Sequence, residues 1–363
     1  MVTTPLTPAA ERAVNTLRRL IETPSLSREE SAAADIVADV LLQRGCAFFR
    51  EKNNIWAKNQ FFDEKKPVLL LCSHLDTVKP NAGYTRNPFA AEVEDGKLYG
   101  LGSNDAGGAL VCLLEAFLNV AQRPDLPFNL VFAAVAEEEV SGKNGVEYLL
   151  PFLGNIDFAI IGEPTLLQMA VAERGLLVLD GVAHGRAGHA AREEGENALY
   201  IALDDINWIR QYRFPKVSEL LGPVKMSVTI IQSGTQHNVV PDTCSFTVDI
   251  RVNECYTLEE IFETVQANTK STMQFRSMRL RATAIETTHP LVQAGLALGS
   301  SVYGSPTLSD KALLPCPTLK IGPGDSARSH TADEFIFLEE IQNGVDFYAQ
   351  LIEKTAFNLS NQA

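Results

Sequence analysis

The stretch Val68-Leu69-Leu70-Leu71-Cys72-Ser73-His74-Leu75-Asp76 decides the fold, because an unbroken apolar run leads straight into an imidazole and a carboxylate. A short run with no alternation is the pattern of a strand buried on both faces, as in a parallel sheet covered by helices. Leu130-Val131-Phe132-Ala133-Ala134-Val135 and Phe158-Ala159-Ile160-Ile161 repeat it, and Thr318 to Ile321 supplies a fourth strand. Each leads to a group suited to metal binding: His74-Leu75-Asp76, Glu137-Glu138-Glu139, Glu163, and a Gly-rich loop that runs to His330. Open α/β sheets form their sites outside the carboxyl ends of the strands. Asp105 adds a carboxylate in the loop Ser103 to Gly108, just before a helix predicted from Ala109 to Val120. His74, Asp105, Glu139, Glu163 and His330 therefore converge on one edge.

Taken singly, each group has a plainer reading. His74 and Asp76 could form a surface hydrogen bond, the Glu triplet a solvated face, Glu163 a turn, Asp105 a helix cap, and His330 an inert exposed histidine. Their joint placement at strand ends argues for a site. Two imidazoles and three carboxylates suit zinc, with cobalt or manganese as substitutes, whereas an all-oxygen set would favour magnesium or calcium. Two ions sharing one bridging carboxylate can polarise a carbonyl and bring the pKa of a water near neutrality, which is the chemistry of amide hydrolysis.

Around this core the spacing predicts two opening helices. Val14, Leu17, Leu20 and Ile21 share one face, and a capping-box pattern of Ser27 with Glu30 precedes Ile36, Val37, Val40 and Leu41. From about residue 176 the pattern becomes a strand (177–182), a helix (197–210), two strands (226–231 and 246–251), a helix (258–268) and a strand (278–285). That order, βαββαβ, is the split arrangement of a small open-faced sandwich. After His289-Pro290 the α/β character returns, ending in a helix with Ile341, Val345, Tyr348, Leu351 and Ile352 at helical spacing. The expected organisation is an α/β domain of residues 1–172 and 289–363, interrupted by an α+β domain of residues 173–288.

The 363 residues carry a net charge of −14, which argues against a broad grip on nucleic acid or anionic lipid. Six cysteines without Cys-x-x-Cys spacing read as reduced thiols and make sulfur-held zinc improbable. Met1-Val2-Thr3-Thr4-Pro5-Leu6 lacks a basic start and an apolar core, and no apolar run nears membrane-spanning length. A soluble, cytoplasmic protein is expected.

Several motifs together resemble the zinc-dependent aminoacylase and carboxypeptidase family that includes acetylornithine deacetylase, succinyl-diaminopimelate desuccinylase and glutamate carboxypeptidases. They are Pro24-Ser25-Leu26-Ser27, Ser73 to Val78, Gly100 to Gly108, Glu137-Glu138-Glu139, Gly162-Glu163-Pro164-Thr165 and Gly322-Pro323-Gly324-Asp325. The resemblance covers nearly the whole chain. It implies a zinc-peptidase-like catalytic domain with a mixed, mainly parallel sheet, and an inserted lid and dimerisation domain. It implies two zinc ions held by His74, Asp105 as the bridge, Glu139, Glu163 and His330, with Asp76 orienting the His74 ring. Glu138 matches the general base. The family's usual Asp-Glu-Glu stands here as three glutamates, so a register with Glu137 as base and Glu138 as ligand is open. The positions of Ser141 and Gly145 favour the later register.

In the inserted domain the resemblance lies at Gly185-Arg186-Ala187-Gly188-His189-Ala190 and His237-Asn238-Val239-Val240-Pro241. It implies that His189 reaches a partner subunit's site to help hold the oxyanion, and hence a homodimer. The proline usual after this histidine is missing. Asn238 and Arg251 match positions that bind the substrate's α-carboxylate, and the plainer reading of Arg251 is a pairing with a nearby acid. His184, His289 and the cysteines receive no role. The activity implied is hydrolysis of an N-acyl-L-amino acid, in first place N-acetylornithine or N-acylcitrulline in arginine biosynthesis. Succinyl-diaminopimelate desuccinylation and dipeptidase or carboxypeptidase activity are the alternatives within the family. A noncatalytic binding protein that keeps the fold is the remote one.

Overall fold

A computed structural model describes residues 5–360. The opening residues Met1 to Thr4, part of the stretch read above for an export signal, lie outside it. The chain divides into two compact units: one through Val171 with Ile285–Tyr303 and the chain from Ser309 on, the other Ala172–Ala284 with Gly304–Leu308. Against the 173–288 read from the sequence, the second unit begins at Ala172, ends earlier, at Ala284, and adds a short return segment.

In the first unit the strands lie in the order Phe49–Glu51, Asn54–Lys58, Asn129–Val135, Val68–His74, Phe158–Ile161, Thr318–Lys320 and Met169–Glu173. The central pairings, of Val68–His74 with both neighbours and of Phe158–Ile161 with Thr318–Lys320, are parallel. The outer ones are antiparallel. Strand Val68–His74 shows why the central runs do not alternate. Leu69 and Leu71 join the core under the helices Pro8–Ile21, Gly108–Val120 and Leu338–Ser360. Val68, Leu70 and Cys72 join the opposite core, under Val146–Leu153. Both faces are dry, and each fully buried aliphatic side chain contributes about 1.5–3 kcal/mol.

Helix Pro8–Ile21 begins where expected for Pro at its first position, and the Thr7 side chain accepts from the Ala10 amide. The second helix, Ser31–Gln43, departs from the expected capping box: its cap residue, Glu30, makes no side-chain capping bond. Ser27 and Glu30 point elsewhere, as described below. No helix of the described residues is long and apolar enough to cross a membrane, and all six cysteines are free.

The second unit is a four-stranded antiparallel sheet in the order Lys225–Ser233, Thr243–Val252, Gly175–His184 and Thr272–Phe275. Helices Ala198–Gln211 and Leu258–Ala267 cover one face, over Leu177, Leu179, Phe246 and Val248. The βαββαβ order holds, but its last strand is Thr272–Phe275 and not 278–285. The Asp205 carboxylate accepts from the amides of Lys270 and Ser271 at 2.9 and 2.8 Å, and this turns the chain back into the sheet directly after the helix. Within the expected range only Thr283–Ala284 is extended, and it pairs with Ala172 and Glu173.

Candidate metal centre

His74 is the last residue of its strand, so the register that buries Leu69 and Leu71 also fixes its ring. Nδ1 meets the backbone carbonyl of Asp76 at 2.8 Å, which leaves Nε2 buried and without a hydrogen-bond partner. That nitrogen lies 3.4 Å from Asp105 Oδ1 and 3.7 Å from Glu163 Oε1. On the other side, Asp105 Oδ2 lies 3.6 Å from His330 Nε2, which is 2.9 Å from Glu139 Oε2. One carboxylate therefore faces two imidazoles, each with a further acid beside it.

Backbone geometry supports this placement. Asp105 lies in the turn Ser103–Gly107 ahead of helix Gly108–Val120. The buried Glu334 carboxylate accepts from the amides of Gly102, Asn104 and Asp105 at 3.1, 2.8 and 2.9 Å. Glu334 was not singled out by the sequence, though its place four residues after His330 is a usable signal. Glu138 and Glu139 lie in a short 3₁₀ turn after strand Asn129–Val135. Glu137, with φ of 59°, turns its carboxylate to Asn144, accepting from Nδ2 at 2.7 Å and from the amide at 3.3 Å. Glu137 is thus occupied, and Glu138 and Glu139 are the two acids of the triplet that join the cluster. Atoms of His74, Glu138 and Glu163 come within 4.8 Å of one another, as do those of His74, Asp105 and Glu139.

Asp76 differs from the expectation for it. Its carboxylate is 3.6 Å from His74 Nδ1, too long for a hydrogen bond, so its backbone carbonyl is what orients the ring. Its oxygens accept instead from the amides of Glu138 and Glu139 and from the Ser27 hydroxyl.

The electrostatics call for positive charge. Burial, reinforced by the neighbouring acids, pushes the Glu163 carboxyl up to about 8 and Glu138 well above the usual carboxylate range. Glu139 is raised for the same first reason. Burial opposes ionisation of Asp105 too, but the His74 imidazole beside it overrides that and lowers its pKa. Burial likewise disfavours a charged His74, yet Asp105 and Asp76 hold its pKa well above the ordinary imidazole value. Acids crowded until they resist ionising, around an imidazole nitrogen with no partner, fit cations shared among these residues.

His189, Asn238 and Arg251 belong to the second unit. His189 is exposed on the short strand Gly188–His189, which pairs with Val239–Val240, and the Ala190 amide donates to the Asn238 carbonyl at 3.0 Å. His189 and Asn238 are therefore neighbours. Arg251 donates to Asp249 through Nε at 2.9 Å and Nη2 at 3.1 Å, the acid pairing left open above.

Residues 70–354 match the model of peptidase family M20/M25/M40. Succinyl-diaminopimelate desuccinylase of Rickettsia bellii (strain OSU 85-389) is 25% identical over 93% of this chain and 95% of its own. Acetylornithine deacetylase of Proteus mirabilis (strain HI4320) is 29% identical over 78% of this chain and 79% of its own. Among solved structures, the YXEP protein of Bacillus subtilis, a dinuclear metal binding peptidase from the M20 family, superposes with a TM-score of 0.72 at 17% identity, covering 95% of this chain and 97% of its own.

Proposed function

The chain belongs to peptidase family M20/M25/M40, and from that premise we propose that it hydrolyses the amide bond of an N-acyl-L-amino acid, using two bound divalent cations. The observation that carries this reading is Asp105, whose two oxygens face His74 and His330 separately. His74 and Glu163 would complete one cation site, and His330 and Glu139 the other. Zinc is the first choice for a mixed imidazole and carboxylate set, with cobalt or manganese as substitutes. The dinuclear relative from Bacillus subtilis supports two ions. Bound cations supply Lewis acidity that polarises the scissile carbonyl and makes a water acidic near neutral pH.

The protein's own work is then to hold the acyl group and move a proton. Glu138, half-buried beside His74 and Glu163, takes the proton from the attacking water and returns it to the leaving nitrogen. Arg251 and Asn238 take the α-carboxylate, and for Arg251 this means exchanging Asp249 for substrate. His189 serves the oxyanion of a partner subunit in a homodimer formed through the second unit. Ile230 and Ile231, half-exposed on the edge strand Lys225–Ser233, support such an interface. A cytoplasmic location goes with this reading.

N-acetylornithine and N-acylcitrulline are the substrates proposed first. Desuccinylation of succinyl-diaminopimelate is the second reading, favoured by several relatives of that name that align along most of the chain. The test is a panel crossing acetyl and succinyl groups with ornithine, citrulline and diaminopimelate, assayed with zinc or cobalt and again after chelation. Turnover of at least one substrate, abolished by the chelator and restored by metal, is expected. A metal-loaded chain that cleaves no amide in the panel contradicts the proposal, and the preferred acyl group separates its two readings.

A further inference from the structure

The turn between the first two helices, residues 25–30, is bonded to two of the strand-end segments of the site, the one after His74 and the one after Val135. Ser25 Oγ donates to the Leu75 carbonyl at 2.9 Å, and the Thr77 amide donates to the Ser25 carbonyl at 2.8 Å. The turn therefore grips the segment that follows His74 from both sides. Ser27 Oγ donates to Asp76 Oδ2 at 2.7 Å. That same oxygen accepts from the Glu139 amide at 3.1 Å, while Oδ1 accepts from the Glu138 amide at 3.0 Å. Glu30 is wholly buried. Its Oε1 accepts from the Glu137 amide at 3.1 Å and from the Arg28 amide, and its Oε2 accepts from Asn53 Nδ2 at 2.8 Å.

The consecutive amides of Glu137, Glu138 and Glu139 thus all end on two carboxylates, Glu30 and Asp76, and Ser27 ties one of these to the turn. Neither the Ser27 nor the Glu30 side chain makes a capping bond to the helix that follows. The arrangement also holds Arg28 at a φ of 79°, a left-handed backbone that side chains other than glycine disfavour.

We infer that the Ser25–Glu30 turn is a positioning clamp for Glu138, in which Ser27 and Glu30 are positioning residues that act through Asp76 and the Glu137 amide. The inference rests on the reading of Glu138 as the proton carrier given above. The Glu138 segment is a three-residue turn with little regular structure of its own, so its orientation is set by where its amides point. Charge-assisted bonds to buried carboxylates are strong and directional, and removing one leaves a buried donor or acceptor unpaired. A small tilt of this turn carries the Glu138 carboxylate away from the attacking water, and proton transfer tolerates little displacement.

The experiment compares the full, metal-loaded chain with Ser27→Ala, Ser27→Thr and Glu30→Gln. It reads kcat, KM, bound metal and hydrogen exchange of the 137–139 amides, with exchange also measured on the metal-free chain. Ser27→Ala and Glu30→Gln are expected to lower kcat about tenfold or more and to speed exchange at 137–139 by about tenfold, with KM and metal content within about twofold of wild type. Ser27→Thr, which keeps the hydroxyl, restores both. Unchanged kcat, unchanged exchange, or a loss of kcat that only follows loss of metal overturns the clamp. Should Glu30→Gln not fold, the two Ser27 variants decide. If the wild-type chain hydrolyses nothing in the substrate panel, the proposed function fails by itself and exchange alone judges the clamp: acceleration confined to 137–139 in Ser27→Ala upholds it, and none refutes it.

Discussion

Asp105 Oδ1 stands 3.4 Å from the Nε2 of His74, a buried ring nitrogen that makes no hydrogen bond. An orphaned buried nitrogen costs free energy unless something pairs with it. The Asp76 carbonyl already engages Nδ1, so the ring is held with its second nitrogen aimed at the acids. A cation shared by His74, Asp105 and Glu163 would satisfy the orphan and relieve the crowding of the carboxylates together.

Glu138 has two possible uses, as proton carrier or as a further ligand beside His74 and Glu163, since geometry brings all three within 4.8 Å. As proton carrier, Glu138→Gln should lower kcat by a factor of about 10² to 10⁴ while the metal content stays at the wild-type level. Steady-state kinetics with elemental analysis of the same sample separates the cases. A near-normal rate, or loss of one metal, assigns Glu138 differently.

The turn that carries the acids also depends on a close backbone approach. A Cβ at Gly145 would lie 2.1 Å from the Ala136 carbonyl oxygen, one residue before Glu137. Gly145→Ala must therefore push that strand end aside, with an expected cost of about 1–3 kcal/mol in urea unfolding and a fall in kcat. A variant with wild-type midpoint and rate would show that the backbones are not so close.

His289 caps the helix Pro290–Ala297, its Nδ1 accepting from the Leu291 amide at 3.2 Å. Burial lowers its pKa from the ordinary 6.5. Protonation also removes the accepting lone pair. The unfolded chain binds this proton more readily than the folded one, so stability falls as pH drops below 6.5 toward the folded value, and the full penalty applies beneath it. His289→Asn keeps a capping acceptor but cannot titrate. Thermal midpoints from pH 5 to 8 should fall less steeply on the acid side for the variant, and parallel curves would exclude His289 as a source of acid sensitivity.

The sheet was legible because two-sided burial leaves continuous apolar runs, as at Leu69 to Cys72. The site was legible where a group sits at a strand end, since topology places His74 and Glu163 whatever the loops do. Three features were not. The final strand of the second unit moved to Thr272–Phe275 because Asp205, distant in sequence, sets the turn before it. Ser27 and Glu30 have the spacing of a helix cap, yet their partners, Asp76 and Glu137, lie far along the chain. The resemblance implies that Asp76 orients the His74 ring, and only the fold shows that its carboxylate serves the amides of Glu138 and Glu139.

The most direct measurement is the number of zinc or cobalt ions bound per chain at saturation, by native mass spectrometry and elemental analysis, for wild type, Glu139→Ala and Asp105→Ala. Sharing of Asp105 between two sites predicts about two ions in the wild type, about one in Glu139→Ala, and fewer than about one in Asp105→Ala, with hydrolysis lost in step. A wild-type chain that saturates with a single ion, or an Asp105→Ala chain that keeps both, contradicts the account.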